Sequence, residues 1–232
     1  MRRIGIIAAM PGELKPLVQG WKPVRASHGE SAWRGTMEST TCIAVCAGMG
    51  KQAAERACAL AAQQGALDAL VSIGWAGGLS CGMQPGSAYV MNEVVDAATG
   101  EAFPTSFPSY QENVVPLKLV SIDHVAQSAE KRRLAETFRA VLVDMEAATV
   151  ARIARRQGIG FYCLKAVSDA ASETLPDFSA YTDNLGHLRL PALLAHVAIR
   201  PRFWPGLARI GKNGRQGAIA IAAALGPLMG GA

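Results

Sequence analysis

Buried-strand runs alternate with helical patterns along most of the chain, and this alternation restricts the fold more than any other feature. Apolar runs rich in β-branched residues occupy 3–9, 41–47, 69–74, 87–95, 117–122, 140–143 and 161–167. Helical spacing appears at 51–64, 129–138, 145–157 and 185–199, and again after Pro205. Strands that alternate with helices build a mostly parallel sheet with helices on both faces. Several runs are continuously apolar, as strands covered on both sides are. The stretch 103–116, "FPTSFPSYQENVVP", reads as a loop. Half of the 232 residues are apolar, enough for one sizeable core. The expectation is one domain over 1–199, followed by a basic, amphipathic extension over 200–232.

Charge and cysteine usage exclude several classes. Six of the 23 basic residues (Arg189, Arg200, Arg202, Arg209, Lys212 and Arg215) follow the last acidic one, Asp183, so residues 1–183 carry 17 basic against 18 acidic side chains. A near-neutral body argues against a nucleic-acid binder. The five cysteines are an odd number with no CxxC pair, which reads as reduced thiols of a cytoplasmic protein. The opening "MRRIGIIAAM" is a short apolar run stopped by Pro11-Gly12-Glu13, and is expected to be a first strand, not a signal peptide. No stretch offers about 20 strongly apolar residues, so no membrane span is expected.

Four spots could carry chemistry: "AGMGKQ" (47–52), "IGWAGGL" (73–79), "VDMEAA" (143–148) and "KAVSDAAS" (165–172). Each follows a predicted strand, and ligands of open α/β sheets bind at the carboxyl ends of strands. The first could present backbone N–H groups to an anion, but it is neither a Walker loop nor GxGxxG, and a plain strand–helix turn suits it as well. Asp144 and Glu146 stand where a buried strand becomes a helix. A buried carboxylate costs several kcal/mol unless it is paired or used. Capping of the helix after 145 accounts for Asp144 as readily as a ligand does, and Asp169 could also be a cap. Glu146 and Asp169 both lie beside small residues that leave room for a ligand.

In the order "IGIIAAMPGE", "AGMGK", "IGWAGGL", "VDMEAA", "KAVSDAA", the chain resembles the purine nucleoside phosphorylase/uridine phosphorylase superfamily, and most of all its methylthioadenosine/adenosylhomocysteine nucleosidases. The resemblance runs from about residue 3 to residue 172. It implies a three-layer α/β/α fold around a mixed, partly barrel-like sheet, a homodimer or larger oligomer, no cofactor or metal, and cleavage of a nucleoside's N-glycosidic bond. It also implies roles: Glu146 binds the ribose hydroxyls, Met145 packs on the sugar, Asp169 protonates the purine at N7 and Glu13 activates water. Met10, Trp75, Ala76, Gly77, Val125 and Ser168 fall at positions that line the substrate. The physical logic agrees. An ionised carboxylate stabilises an oxocarbenium-like sugar. A purine leaving group needs a proton, and burial helps an acid keep one. The division between acid and base follows inverting glycoside hydrolysis.

Phosphorylases of the superfamily hold phosphate with early-loop arginines and a serine. Here the loop "AMPGELKP" has no arginine and Trp75 takes the serine position, so water is the expected nucleophile. Arg25 and Arg34 are the remaining candidate donors. Val125 falls where the nucleosidases set a phenylalanine against adenine, and Lys165 where they have arginine. These departures and the basic tail look similar to nucleosidases that act on adenosylhopane, whose 5′ group is a large lipid. That is the first expectation for the substrate; methylthioadenosine, adenosylhomocysteine or futalosine is the alternative. The tail suits either a helix packed on the domain or a peripheral contact with an anionic membrane.

Overall fold

The computed structural model describes residues 2–26, 29–107, 116–173, Gly186 and 204–230. The helix expected at 185–199 lies outside these, Gly186 apart. In chain order the elements are β1 (Arg3–Ala8), α1 (Pro11–Leu14), β2 (Lys22–Val24), β3 (Ser31–Met37), β4 (Thr40–Cys46), α2 (Lys51–Gln63), β5 (Ala69–Gly78), β6 (Ala88–Val90), β7 (Glu93–Asp96), β8 (Ala102–Pro104), β9 (Lys118–Ser121), α3 (Ser128–Phe138), β10 (Leu142–Asp144), α4 (Ala147–Gln157), β11 (Gly160–Asp169) and α5 (Trp204–Gly230).

One 11-stranded mixed sheet holds the fold, with strand order β2-β3-β4-β1-β5-β10-β9-β7-β8; β11 lies on β5, and β6 on β11. Strands β4, β1, β5 and β11 are parallel. Beyond them β5 changes partner. Its last residues, Gly77 and Gly78, pair antiparallel with Val143 and Leu142 of β10, which starts a second parallel set of β10, β9 and β7. The sheet therefore branches at β5 and does not close into the partly barrel-like form expected, and the two sets bring their strand ends to one cavity.

The layers follow from where apolar residues point. On one face the alanine-rich sides of α2 (Ala53, Ala57, Ala61) and α4 (Ala147, Val150, Ala154) pack on Ile43, Val45, Leu70 and Phe161. On the other, Leu14 of α1 and Ile221 and Leu225 of α5 pack on Ile4, Ile6, Ile73 and Leu164. Full burial of side chains such as Ile221 and Leu225 contributes about 1.5–3 kcal/mol each. So the described part of the tail completes the helical layer. Its outward row includes Lys212, Arg215 and Ile219. Among the described residues no helix is long and apolar enough to cross a membrane.

Two further expectations need correction. The run 87–95 is not one strand: β6 joins β11, whereas β7 joins β8 and β9. The switch occurs at fully buried Met91 and at Asn92, whose side-chain oxygen accepts the Leu117 N–H at 2.8 Å. The loop expected at 103–116 begins inside β8, whose Phe103 is buried under Arg152 and Arg155, and its residues 108–115 lie outside the described ones.

Candidate active site

A cavity of about 310 Å³ opens where the strand ends converge. All the site residues named from the sequence line it: Met10, Glu13, Trp75, Ala76, Gly77, Val125, Met145, Glu146, Ser168 and Asp169. Met49, His124, Lys131, Asp144 and the α5 residues Ile210 and Gly211 join them.

Glu13 is set by the turn after β1. Pro11 starts the single turn of α1, and the Glu13 side chain reaches back to accept the N–H groups of Ala9 and Met10, both at 2.8 Å on Oε2. Its other oxygen accepts the Trp75 N–H at 2.8 Å. The side chain is 3% exposed. Close approach of β5 is possible because Gly74 has no Cβ: one there would lie 2.6 Å from Glu13 Oε1, and the φ of +132° suits glycine alone. Burial pushes the Glu13 carboxyl above its ordinary range, against the pull of these N–H groups and Lys165. Three backbone donors leave one lone-pair direction on Oε1 for a water.

Glu146 follows β10. Its Oε1 accepts the Gly50 N–H at 2.7 Å, at the start of α2. The anion that "AGMGKQ" meets is thus the chain's own carboxylate, a favourable partner for a helix N-terminus. Burial first, and then Asp144, raise Glu146 to about 7, while Lys165 and the Gly50 N–H act the other way.

Asp144 has a structural role. One oxygen accepts from Ser121 Oγ at 2.5 Å; the other accepts the Ala147 N–H at 2.9 Å and pairs with Lys165 Nζ at 2.8 Å. It therefore caps α4 and neutralises Lys165, which is 1% exposed. Burial opposes the Lys165 charge, but Asp144 and then Cys163 and Glu146 outweigh it and shift the group upward.

Asp169 closes β11 at a register shift between Val167 and Asp169, which inserts Ser168 and turns both side chains to the cavity. Asp169 Oδ1 lies 2.5 Å from Ser168 Oγ, and Oδ2 forms a buried ion pair with Lys131 of α3. The sequence offered burial alone as the influence on Asp169; the structure adds an ammonium. Only the spacing of Lys131 to buried Leu134, one turn on, hinted that this lysine faces inward from the charged "SAEKRRLAETF".

Trp75 fills the place expected for a serine. Its indole lies against Gly12 and Gly214, where added Cβ atoms would come within 3.2 and 3.0 Å, and its N–H donates to the Gly214 carbonyl of α5 at 2.9 Å. Its one donor is therefore spent on the helix. Arg34 binds Gln64 at 3.2 Å and lines a separate groove, and no arginine lines the cavity among the described residues. His124 holds Asp123 and Glu130 on its two nitrogens, at 2.7 and 2.9 Å, and these two carboxylates raise its pKa. Among the described residues no group of His, Cys, Asp and Glu is placed to hold a metal ion.

Comparison with known proteins agrees with this geometry. The phosphorylase superfamily family model matches residues 3–124 and 119–196. The 5′-methylthioadenosine/S-adenosylhomocysteine nucleosidase of Buchnera aphidicola subsp. Baizongia pistaciae is 26% identical over 212 residues, covering 79% of this chain and 84% of the relative. Two solved structures share the fold. The corresponding nucleosidase of Neisseria meningitidis, in complex with methylthio-immucillin-A, has a TM-score of 0.74 at 19% identity over 100% of both chains. The futalosine hydrolase of Helicobacter pylori has a TM-score of 0.73 at 17% identity over 100% of this chain and 98% of that one. The family match takes in every strand-end segment of the cavity, from the Glu13 turn to Asp169, and on that ground the chain belongs to the phosphorylase superfamily.

Proposed function

We propose that the protein is a hydrolytic N-glycosidase that releases the base from a 5′-substituted purine nucleoside of the methylthioadenosine, adenosylhomocysteine or futalosine kind. The observation that carries this is that two buried carboxylates, Glu13 and Asp169, line one cavity together with Glu146. Such a set supplies an acid for the leaving base and a base for the attacking water around one glycosidic bond. Glu13 takes the proton of the attacking water. Glu146 accepts the ribose hydroxyls and faces the positive charge that develops on the sugar. Asp169 delivers a proton to N7 as the C–N bond breaks. With no arginine on the cavity and the Trp75 N–H committed to Gly214, a phosphate dianion has no ready set of donors.

Cavity size bears on the 5′ group. About 310 Å³ is at the low end for ligand cavities, which span about 300–1,000 Å³. It suits a nucleoside with a modest 5′ substituent. A hopane-sized group receives less support, and so does lipid docking by the tail, since Ala218, Ile221 and Leu225 are spent on the core. Base-release rates on methylthioadenosine, adenosylhomocysteine, futalosine and a long-chain 5′-alkyl adenosine test the proposal. At least one of the first three should be cleaved fastest; a clear preference for the long chain would restore the lipid substrate.

The pH dependence follows from Glu146. The upward shift means that its carboxylate takes up a proton as pH falls through about 7. A protonated Glu146 no longer offers a negative charge to the sugar. Glu13 is shifted in the same direction. We expect kcat, which reports the bound complex, to fall on the acid side as Glu146 takes up its proton; a kcat flat down to pH 5 would contradict these roles.

A further inference from the structure

Lys131 is the buried charge in the cavity for which the proposed chemistry has no task. Its side chain is 2% exposed, and its ammonium binds Asp169 Oδ2 and the carbonyls of Ala170 (2.9 Å) and Glu173 (3.3 Å). Those acceptors occupy its three hydrogens, so none is left for substrate. On the far oxygen, Ser168 Oγ lies 2.5 Å from Asp169 Oδ1 and also 3.2 Å from the Ala76 carbonyl. A hydroxyl has one hydrogen and can give it to only one of these. With Asp169 ionised, it goes to Oδ1. With Asp169 protonated on Oδ1, Ser168 can turn its hydrogen to Ala76 and accept the acid's O–H on Oγ until a base lone pair takes that proton.

Among the described residues, the other charges around the pair are already matched. Glu173 accepts the Ala170 N–H at 3.0 Å and pairs with Arg209 of α5. Elsewhere on the cavity Glu13, Asp144 and Glu146 surround Lys165, and His124 carries its own two carboxylates.

We propose that Lys131 is a positioning residue that holds Asp169 as a carboxylate in the free protein, so that the acid gains its proton only when a purine base arrives. This rests on the proposed role of Asp169 as the acid. An N7 lone pair brought against an ionised carboxylate sets acceptor against acceptor in a buried site, and one proton between them relieves the conflict. That proton comes from solvent and binds Oδ1, while Ser168 turns to Ala76. As the C–N bond breaks, the proton passes to N7, the neutral base leaves and the Lys131–Asp169 pair is restored. The attacking water gives its proton to Glu13 and from there to solvent, so the cycle balances.

Carbon-13 NMR of carboxyl-labelled aspartates in the full-length protein tests this, with Asp169→Asn assigning the resonance. At pH 7 without ligand, Asp169 should be ionised in the wild type and should keep its proton to higher pH in Lys131→Met. The Asp169 resonance should return to its wild-type behaviour in Lys131→Arg. A protonated Asp169 in the free wild type at pH 7 overturns the proposal, and this holds even if Lys131→Met fails to fold. An equal loss of rate at every pH in Lys131→Met, with an unmoved Asp169 resonance, makes Lys131 a structural clamp and also overturns it. The NMR arm needs no substrate, so it is independent of whether any nucleoside is cleaved.

Discussion

Asp169→Asn is expected to lower kcat by at least ~100-fold, the usual scale for loss of a general acid. The amide has the shape of the carboxylate but no proton to deliver to N7. The surrounding bonds largely survive: an amide oxygen can still accept from Lys131, and the amide N–H can donate to Ser168 Oγ. Lys131 loses its counter-charge yet keeps the carbonyls of Ala170 and Glu173. The stability cost should therefore stay near 1–3 kcal/mol, seen as a lower melting temperature with an unchanged circular dichroism spectrum. Near wild-type turnover in a folded variant would remove Asp169 from the mechanism.

Glu13→Gln should reduce both rate and stability. The site supplies three N–H donors, from Ala9, Met10 and Trp75, to the two oxygens of the carboxylate. A glutamine has one oxygen. Its NH2 must face at least one of those donors in a pocket where the side chain is 3% exposed. An unsatisfied buried donor costs about 1–3 kcal/mol, measurable as a lower denaturation midpoint. The base for the attacking water is lost as well, so kcat should fall by ~100-fold or more. A variant of full activity would show that water needs no help from this residue.

The two predictions differ in how well the sequence announced their sites. The apolar runs that became β1, β4, β5, β9, β10 and β11 were legible because strands buried on both faces are continuously apolar. Helices α2, α3 and α4 were legible from their spacing. Strands β2, β3 and β8 were not. They lie toward the sheet edges, are short or polar, and take their form from neighbours: β3, with Arg34 and Gly35 at its centre, is defined by its pairing with β4. The cavity-lining residues were readable through the family resemblance, helped by their places at the ends of buried strands, which meet in this topology. What could not be read was the pairing among charges. Nothing in "SAEKRRLAETF" separates Lys131 from Arg132 and Arg133, and its partner is 38 residues away. The turn of Glu146 toward Gly50 spans 96 residues. The capping role of Asp144, by contrast, is local and was open to sequence reasoning. The tail's apolar residues were visible, but whether they faced the domain or a bilayer was settled for Ala218, Ile221 and Leu225 only by their packing.

The central claim is that this cavity breaks an N-glycosidic bond with water and not with phosphate. Product analysis tests it most directly: methylthioadenosine, adenosylhomocysteine and futalosine are each incubated with the protein, with and without inorganic phosphate, and the sugar product is identified by NMR. The account predicts release of the free base, a free 5′-substituted ribose as the sugar, and the same rate in both conditions. A ribose 1-phosphate as the main product, or no base released from any purine nucleoside, would contradict it.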